Sequence, residues 1–527
     1  MIMKKYIFVI AAIAALMVSC TKENNPGQNG KLTFSVTKEA IGSTKAELSG
    51  TNVNFAAGDK ISVFAGLTNH EFTTTAGGST ATFTSGESVA ELENYLVLSP
   101  YNADATRVDV GSMQVRITIP SEQVATPGGV DPKALISAGI ATGTGSVELK
   151  NAVGLVKIVV PDGLTVKTIQ VAGGKAATIA IAGEFNFNAE NGALAIPDLK
   201  KTTQIITLVP KEGDDVIAPG TYYVAVRPKT TYDTGFMVAY VNGSNQLCKR
   251  STATALDIIR SHIVPVGSLG DSGYTPVSGT AVLRMFGDYG NPWQFTGLIK
   301  YMAGGSGTAT ADDNVVKKII FKSHAIIPNE KKTSAGTVSS GAGTESIFTY
   351  IDGDVVYVCT EASKITLHAT SSNLFRNFLA LEEVIFDDVD TQAGASFEYM
   401  FRNDTKLKKV DFGNADFSKV TNFSYMFYTG ASALEYVNLG GTATTSATTM
   451  QSMFNNNQNL KHLDLGANFT LAATHTNMFL EAARQTSIDA AGDDAKKCQL
   501  YCSQAFYDDV RANEATFNAA RFFLHVQ

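Results

Sequence analysis

The sequence is short of charge, of cysteine and of histidine. Charged residues make up 17% of the 527, below the roughly 25% of an ordinary soluble domain, which excludes a charged coiled coil or a solvated disordered chain. The 42 Lys and Arg against 49 Asp and Glu give a formal net charge of −7 and form no basic cluster. The footprint that a phosphate backbone demands is missing, so no nucleic-acid partner is expected. Apart from Cys20 there are four cysteines, Cys248, Cys359, Cys498 and Cys502, far too few for a disulfide scaffold. Their pairing is left open, although alternation puts Cys498, Leu500 and Cys502 on one face of a strand as buried thiols. Seven histidines stand scattered at 70, 262, 324, 368, 462, 475 and 525 with no paired metal motif. Nucleophile elbow, phosphate loop and dinucleotide fingerprint are all missing. Asp387-Asp388-Val389-Asp390 is acidic enough for calcium, but Gln392-Ala393-Gly394 breaks the EF-hand spacing. No enzyme, cofactor or bound metal is therefore expected, although carboxylate pairs that meet only in the fold stay open.

After residue 20 the chain has no run of eighteen apolar residues, so the N-terminus is the only membrane address in the sequence. Lys4 and Lys5 precede an uncharged stretch from Tyr6 to Val18, thirteen residues, the length of an export signal rather than a span. It ends Met17-Val18-Ser19-Cys20, which resembles a bacterial lipobox. That resemblance implies removal of residues 1–19 and acylation of Cys20, and so an exported lipoprotein of the outer membrane displayed at the cell surface. Residues 20–30, polar and rich in Asn and Gly, then form a tether.

What the sequence has in plenty is short alternating runs broken by turn residues. Leu32-Thr33-Phe34-Ser35-Val36, Lys60-Ile61-Ser62-Val63-Phe64, Thr80-Ala81-Thr82-Phe83, Tyr95-Leu96-Val97-Leu98 and Val115-Arg116-Ile117-Thr118-Ile119 predict an antiparallel β-sandwich over residues 31–149. Similar runs through Leu155-Val156-Lys157-Ile158, Ile205-Ile206-Thr207-Leu208 and Tyr222-Tyr223-Val224 predict a second over residues 150–270. In order and spacing, Phe55-Ala56-Ala57-Gly58-Asp59, Ser99-Pro100-Tyr101, Asn151-Ala152-Val153-Gly154-Leu155, Pro219-Gly220-Thr221-Tyr222-Tyr223 and Ile259-Arg260-Ser261-His262-Ile263 resemble the fimbrillin-type surface lipoproteins. The resemblance implies two β-sandwich domains and, in many members, pilus assembly by strand exchange after an Arg-specific cut removes the first strand. Here the first arginine is Arg107, well inside the first domain, and the chain runs more than 250 residues past the second. A shaft subunit is therefore not expected.

Residues 271–278 read as a linker, and beyond them the sequence repeats itself. Leu381-x-x-Val384-x-Phe386 recurs at Leu407, Leu434 and Leu460 after 26, 27 and 26 residues. Met400-Phe401, Met426-Phe427, Met453-Phe454 and Met478-Phe479 follow the same period, with Leu374-Phe375 ahead of them. Two motifs sharing one period predict stacked coils with the Met-Phe pairs as core. A single coil burying about four large apolar side chains gains on the order of 10 kcal/mol, against several tens of kcal/mol to order it, so stacking is obligatory. Residues 371–480 resemble the BspA-like leucine-rich repeats, which implies a solenoid with parallel strands and a role in adhesion. Residues 279–370 would cap one end. Residues 481–527, reading strand, helix from Gln504 to Ala512 and strand, would cap the other.

Three outward columns follow from that register. Glu382, Lys408, Glu435 and Lys461 alternate in sign and are expected to fix stacking. The next two carry the candidate ligand surface: Lys409, Tyr436 and His462, and Asp411, Asn438 and Asp464. The fold class expected is mainly β, two sandwiches followed by a leucine-rich-repeat solenoid. The function expected is that of a lipid-anchored adhesin or binding module, with a tip or accessory subunit of a fimbrillin-type pilus as the alternative. Its partners would be outer-membrane lipid through Cys20, a host or bacterial surface protein or glycan, and possibly other fimbrillin subunits.

Overall fold

The computed structural model describes residues 31–527 apart from 44–53, 176, 233–234, 253–254, 290–293, 334–335, 414, 430–432 and 442. The leader, the tether and Cys20 lie outside the described residues. The chain is mainly β.

The first seven-stranded sheet is a closed barrel rather than the open sandwich expected. Its strands run Thr33–Lys38, Ser146–Asn151, Ser137–Thr142, Asn94–Ser99, Lys60–Ala65, Thr68–Thr74 and Thr80–Ser85. Thr33–Lys38 closes it, lying parallel to Ser146–Asn151 and antiparallel to Thr80–Ser85. Period-2 alternation supplies the interior: Ala81, Phe83 and Ser85 point in while their threonine neighbours point out. Phe34 packs edge-on to Tyr95 at 5.1 Å. Closure leaves no open strand edge, which an alternation pattern alone does not reveal.

A division at residue 149 is not how the remaining strands pair. Gln114–Ile119 lies against Ala182–Asn188, and Glu122–Val124 runs parallel to Ile205–Val209. Val115, Ile117 and Ile119 thus share a core with Val156, Ile169, Phe185 and Val224. The alternation marks these residues as strand, but the choice of sheet depends on partners some 70 residues away, which a local pattern does not encode. Nor are residues 271–278 a free linker. Thr275–Pro276 adds an edge strand to Leu247–Ser251, a place where proline is tolerated because one edge of the strand needs no N–H. Arg107 is buried and donates to the carbonyls of Ser112, Gly66 and Val110, a clamp rather than an exposed cleavage point.

The third part is built on a nine-stranded sheet. Its order is Ile347–Asp352, Val355–Thr360, Lys318–Lys322, Glu383–Ile385, Lys409–Asp411, Tyr436–Asn438, His462–Asp464, Cys498–Cys502 and Phe522–Val526. From Val355–Thr360 onward every neighbouring pair is parallel. Behind it the Met-Phe pairs are all buried, and their rings form a spine: Phe375, Phe401, Phe427, Phe454 and Phe479 stack with centroids 5.1 to 5.5 Å apart. Each coil turns into this spine through a left-handed residue, namely Asn373, Tyr399, Tyr425, Ser452 and Asn477, with φ between 53° and 61°.

Both ends of the ladder are closed. At the first, the helix Phe295–Met302 delivers Lys300, 2% exposed. Its ammonium donates to the carbonyls of Ala309, Ala311 and Arg376 at 2.7, 2.6 and 2.7 Å, and burial lowers its pKa to about 8. At the second, Ser503 caps the helix Gln504–Ala512, which turns Phe506 and Val510 into the core. All four described cysteines are free and buried, and burial pushes Cys359 and Cys502 up to about 11.

One buried carboxyl is imperfectly housed. Asp404 accepts from Phe378 N at 2.9 Å through Oδ1, while Oδ2 has no partner, and burial drives its pKa well above the carboxylate range. Two coils on, Asn457 takes the same place and donates to Phe427 O at 3.2 Å. Asp404→Asn is therefore expected to stabilise the protein at pH 7 by about 1–2 kcal/mol. Because the folded pKa is raised, the wild-type carboxyl loses its contribution as pH rises through that value. The gap between variant and wild type in denaturant unfolding should thus close at acid pH.

Candidate functional site

The parallel register places the six expected residues on one face in two adjoining columns. Lys409 pairs with Tyr436 and Tyr436 with His462; Asp411 pairs with Asn438 and Asn438 with Asp464. The first column is a continuous stack. The Lys409 ammonium sits 5.2 Å from the Tyr436 ring centroid, and Tyr436 lies on His462 at 4.6 Å and 6°. Lys409 also reaches Glu383 at 3.4 Å, which itself bonds Lys318. Rings that stack along the strand-pairing direction stand on edge, so this face offers N–H and O–H groups rather than flat ring faces.

The second column does a different job. Asp411, Asn438 and Asp464 each accept through Oδ1 from the backbone N–H two residues on, at Gly413, Gly440 and Gly466. Those glycines are left-handed, so the [Asp/Asn]-x-Gly turn ends each strand. Asn438 also donates to Asp411 at 3.0 Å. These three side chains are committed to the turns, which leaves Lys409, Tyr436 and His462 as the freer part of the surface. The outer column of alternating charge forms the pairs Lys408–Glu382 at 2.8 Å and Lys461–Glu435 at 3.0 Å.

Sequence reasoning stopped the face at His462, whereas it continues. Tyr501 tilts against His462 at 5.1 Å and stacks on His525 at 4.4 Å, with Phe523 edge-on to His525. The helix Arg484–Asp489 lies between His462–Asp464 and Cys498–Cys502. It lengthens the step from Leu463 to its partner Leu500 and hides the later strands from a search at the earlier period. An inward-outward alternation around Leu500 and Leu524 was the available signal.

A second place that gathers polar side chains is a cleft of about 960 Å³ between the second β unit and the start of the ladder, lined by Lys167, Gln170, Ser323, His324, Tyr350 and Asp387 among others. Gln170 donates to His324 O and accepts from Ile326 N at 2.7 and 2.8 Å, so one amide reads both edges of that segment. Ser323 Oγ and Asp388 Oδ2 approach the same His324 nitrogen, Nε2, at 3.1 and 2.9 Å. A proton relay needs the hydroxyl and the carboxylate on opposite nitrogens, so this trio is a brace and not a triad. Among the described residues no group of three His, Cys, Asp or Glu could hold a metal ion.

A family model described as "Mycoplasma protein of unknown function, DUF285" matches residues 367–491, the stretch of the repeated coils. Solved structures similar to the chain include a candidate cell adhesion protein of Bacteroides ovatus, 11% identical with TM-score 0.30, covering 48% of this chain and 96% of that one. Another, from Bacteroides uniformis, is 13% identical with TM-score 0.30 and covers 47% and 96%. A fimbrial protein of Bacteroides ovatus is 12% identical with TM-score 0.23, covering 51% and 61%. No curated protein matches the chain.

Burial lowers the pKa of His462, against the opposing pull of Asp464 and Asp411. As pH falls through the unfolded value of about 6.5, the unfolded chain takes up a proton that the folded one refuses. Stability contributed by neutral His462 is therefore lost below that pH. His462→Phe, which keeps the stack, should show a smaller drop in unfolding midpoint between pH 7.5 and 5.5 than the wild type.

Proposed function

We propose that this chain is an exported, lipid-anchored surface protein. Its stacked coils, a leucine-rich-repeat solenoid of the BspA-like kind, bind a partner through the strand face, while the β units nearer Cys20 serve as a stalk. The observation that supports this most is the Lys409-Tyr436-His462 column, which continues through Tyr501 to His525 with no other segment of the described chain laid over it. A flat face of half-buried polar and aromatic groups, rigid because each coil is held by the next, suits a protein surface more than a small apolar ligand. Edge-on rings favour hydrogen bonds over the ring stacking that a neutral sugar would use. The full chain carrying Lys409→Ser, Tyr436→Ser and His462→Ser together should stay displayed on intact cells, as judged by surface proteolysis, yet attach at least about tenfold less to the surface it recognises. Undiminished attachment would rule the strand face out.

A second reading, a tip or accessory subunit of a fimbrillin-type pilus, is favoured by the position of Thr33–Lys38. This first strand closes the barrel between Ser146–Asn151 and Thr80–Ser85. Its loss would bare two edges for an incoming strand. With Arg107 buried, the cut would have to fall elsewhere. On this reading, cells that make partner subunits contain a detergent-resistant, heat-labile ladder of bands that includes this chain. A single monomer band would dismiss it.

A further inference from the structure

We infer that the coil corner carrying Arg376, Arg402, Tyr399, Tyr425 and Tyr428 is a binding site for an acidic polysaccharide, on residues separate from the strand face. Arg376 and Arg402 each follow a spine phenylalanine, and their coils are adjacent, since Asn377 N donates to Arg402 O at 2.9 Å. Two guanidiniums therefore stand side by side, roughly 5 Å apart at the backbone. The Nε of each is buried and has no hydrogen-bond partner. Neither guanidinium forms an ion pair among the described residues; by contrast Arg260 pairs with Glu39, Arg484 with Glu481 and Arg511 with Glu514. Glu398, on the same coil as Arg402, acts on the Tyr399 hydroxyl electrostatically without closing on either arginine. Neighbouring like charges with unsatisfied donors are costly in a folded protein, and an anion between them removes both costs at once.

The tyrosines give the anion its class. Tyr399 and Tyr425 stack at 4.8 Å and 10°. Tyr428, 38% exposed, stands nearly perpendicular to both at 6.1 Å, so its plane is turned out of the stack. The Arg402 guanidinium lies 5.1 Å from the Tyr399 ring, and Gln451 donates to the Tyr425 hydroxyl at 3.2 Å. Paired guanidiniums beside a differently oriented ring and several hydroxyl and amide groups match a sugar that carries sulfate or carboxylate, because the charge needs the fork and the ring needs a face. Backbone strain supplies an independent sign. Tyr399 and Tyr425 occupy left-handed corners with φ of 54° and 53°, where Asn373 and Asn477 make the same turn. Asparagine tolerates that conformation and a bulky ring does not. The rings are thus kept against a local cost, which points to use.

The test uses the full mature chain and labelled dextran sulfate, with polygalacturonate as a second polyanion and neutral dextran as the control. Both polyanions, or one of them, should bind, at least about tenfold tighter than neutral dextran, and more weakly as salt is raised. Arg376→Gln and Arg402→Gln should each weaken binding by about tenfold or more, together abolishing it, while Glu398→Gln strengthens it and Tyr428→Ala weakens it several-fold. Lys408→Gln, and the strand-face variant carrying serine at 409, 436 and 462, should bind like the wild type. The assignment is overturned if neither polyanion binds, if neutral dextran binds equally well, or if Lys408→Gln costs as much as Arg402→Gln. It is also overturned if the arginine variants lose binding only because their unfolding midpoints collapse. That result would make the guanidiniums braces of the coil.

Discussion

The last half of this molecule depends on one constraint: no coil satisfies itself. The strand of each coil draws its backbone partners from the coils before and after, as in Phe375 N to Met400 O, Phe401 N to Met426 O and Phe427 N to Met453 O. Its spine phenylalanine is covered on both faces by the rings of its neighbours. A chain of such dependencies has two exposed ends, and each must be closed by something that is not a coil. The first closure is chemical, Lys300 gathering three carbonyls that no further coil is there to meet. The second is apolar, with Phe506, Phe517 and Phe522 packed around Phe479.

The same constraint writes the surface. In a parallel, in-register sheet any residue type recurring at one position becomes a column about 5 Å in repeat. Choices at that position therefore act cooperatively. Alternating Glu and Lys become ion pairs, Asp and Asn before glycine become a file of turns, and Tyr beside His becomes a stack. Stability and recognition thus compete for the same columns. Where a residue is fully committed to a neighbour, as Asp411, Asn438 and Asp464 are to their turns, little is left for a ligand. Where the commitment is partial, as with Lys409 and the edges of Tyr436 and His462, the surface has chemistry to spare.

What the sequence discloses follows from how far apart the interacting residues are. The period of 26 to 27 residues, the inward Met-Phe pairs and the terminal helix Gln504–Ala512 are written locally or by repetition, and the structure has them. The column residues at 409, 436 and 462 are equally legible, because register follows from the repeat. Closure of the first sheet by Thr33–Lys38 is not, since its parallel partner lies more than a hundred residues later. The assignment of Gln114–Ile119 to a sheet with Ala182–Asn188 fails for the same reason. The Arg376 and Arg402 pair is hidden differently. Its spacing obeys the repeat, but only the structure reveals that no carboxylate answers it.

The join between the second β unit and the ladder bears on how such a surface is presented. Glu361 is held from both sides, by Lys249 of the β unit and by Lys332 of the ladder's first segment. Gln170 binds the main chain at His324 and Ile326 with both ends of its amide. Main-chain recognition of this kind is indifferent to side chains, so the joint survives drift in residues 324–326 but not a change at Gln170. Ile326 adds an apolar contact with Ala172, Ala239 and Val241. Two parts joined by a thread of linker present their faces in every direction. Two parts joined by a buried amide, a doubly paired carboxylate and an apolar plug hold one relation, and the strand face and the arginine corner then reach outward as fixed surfaces.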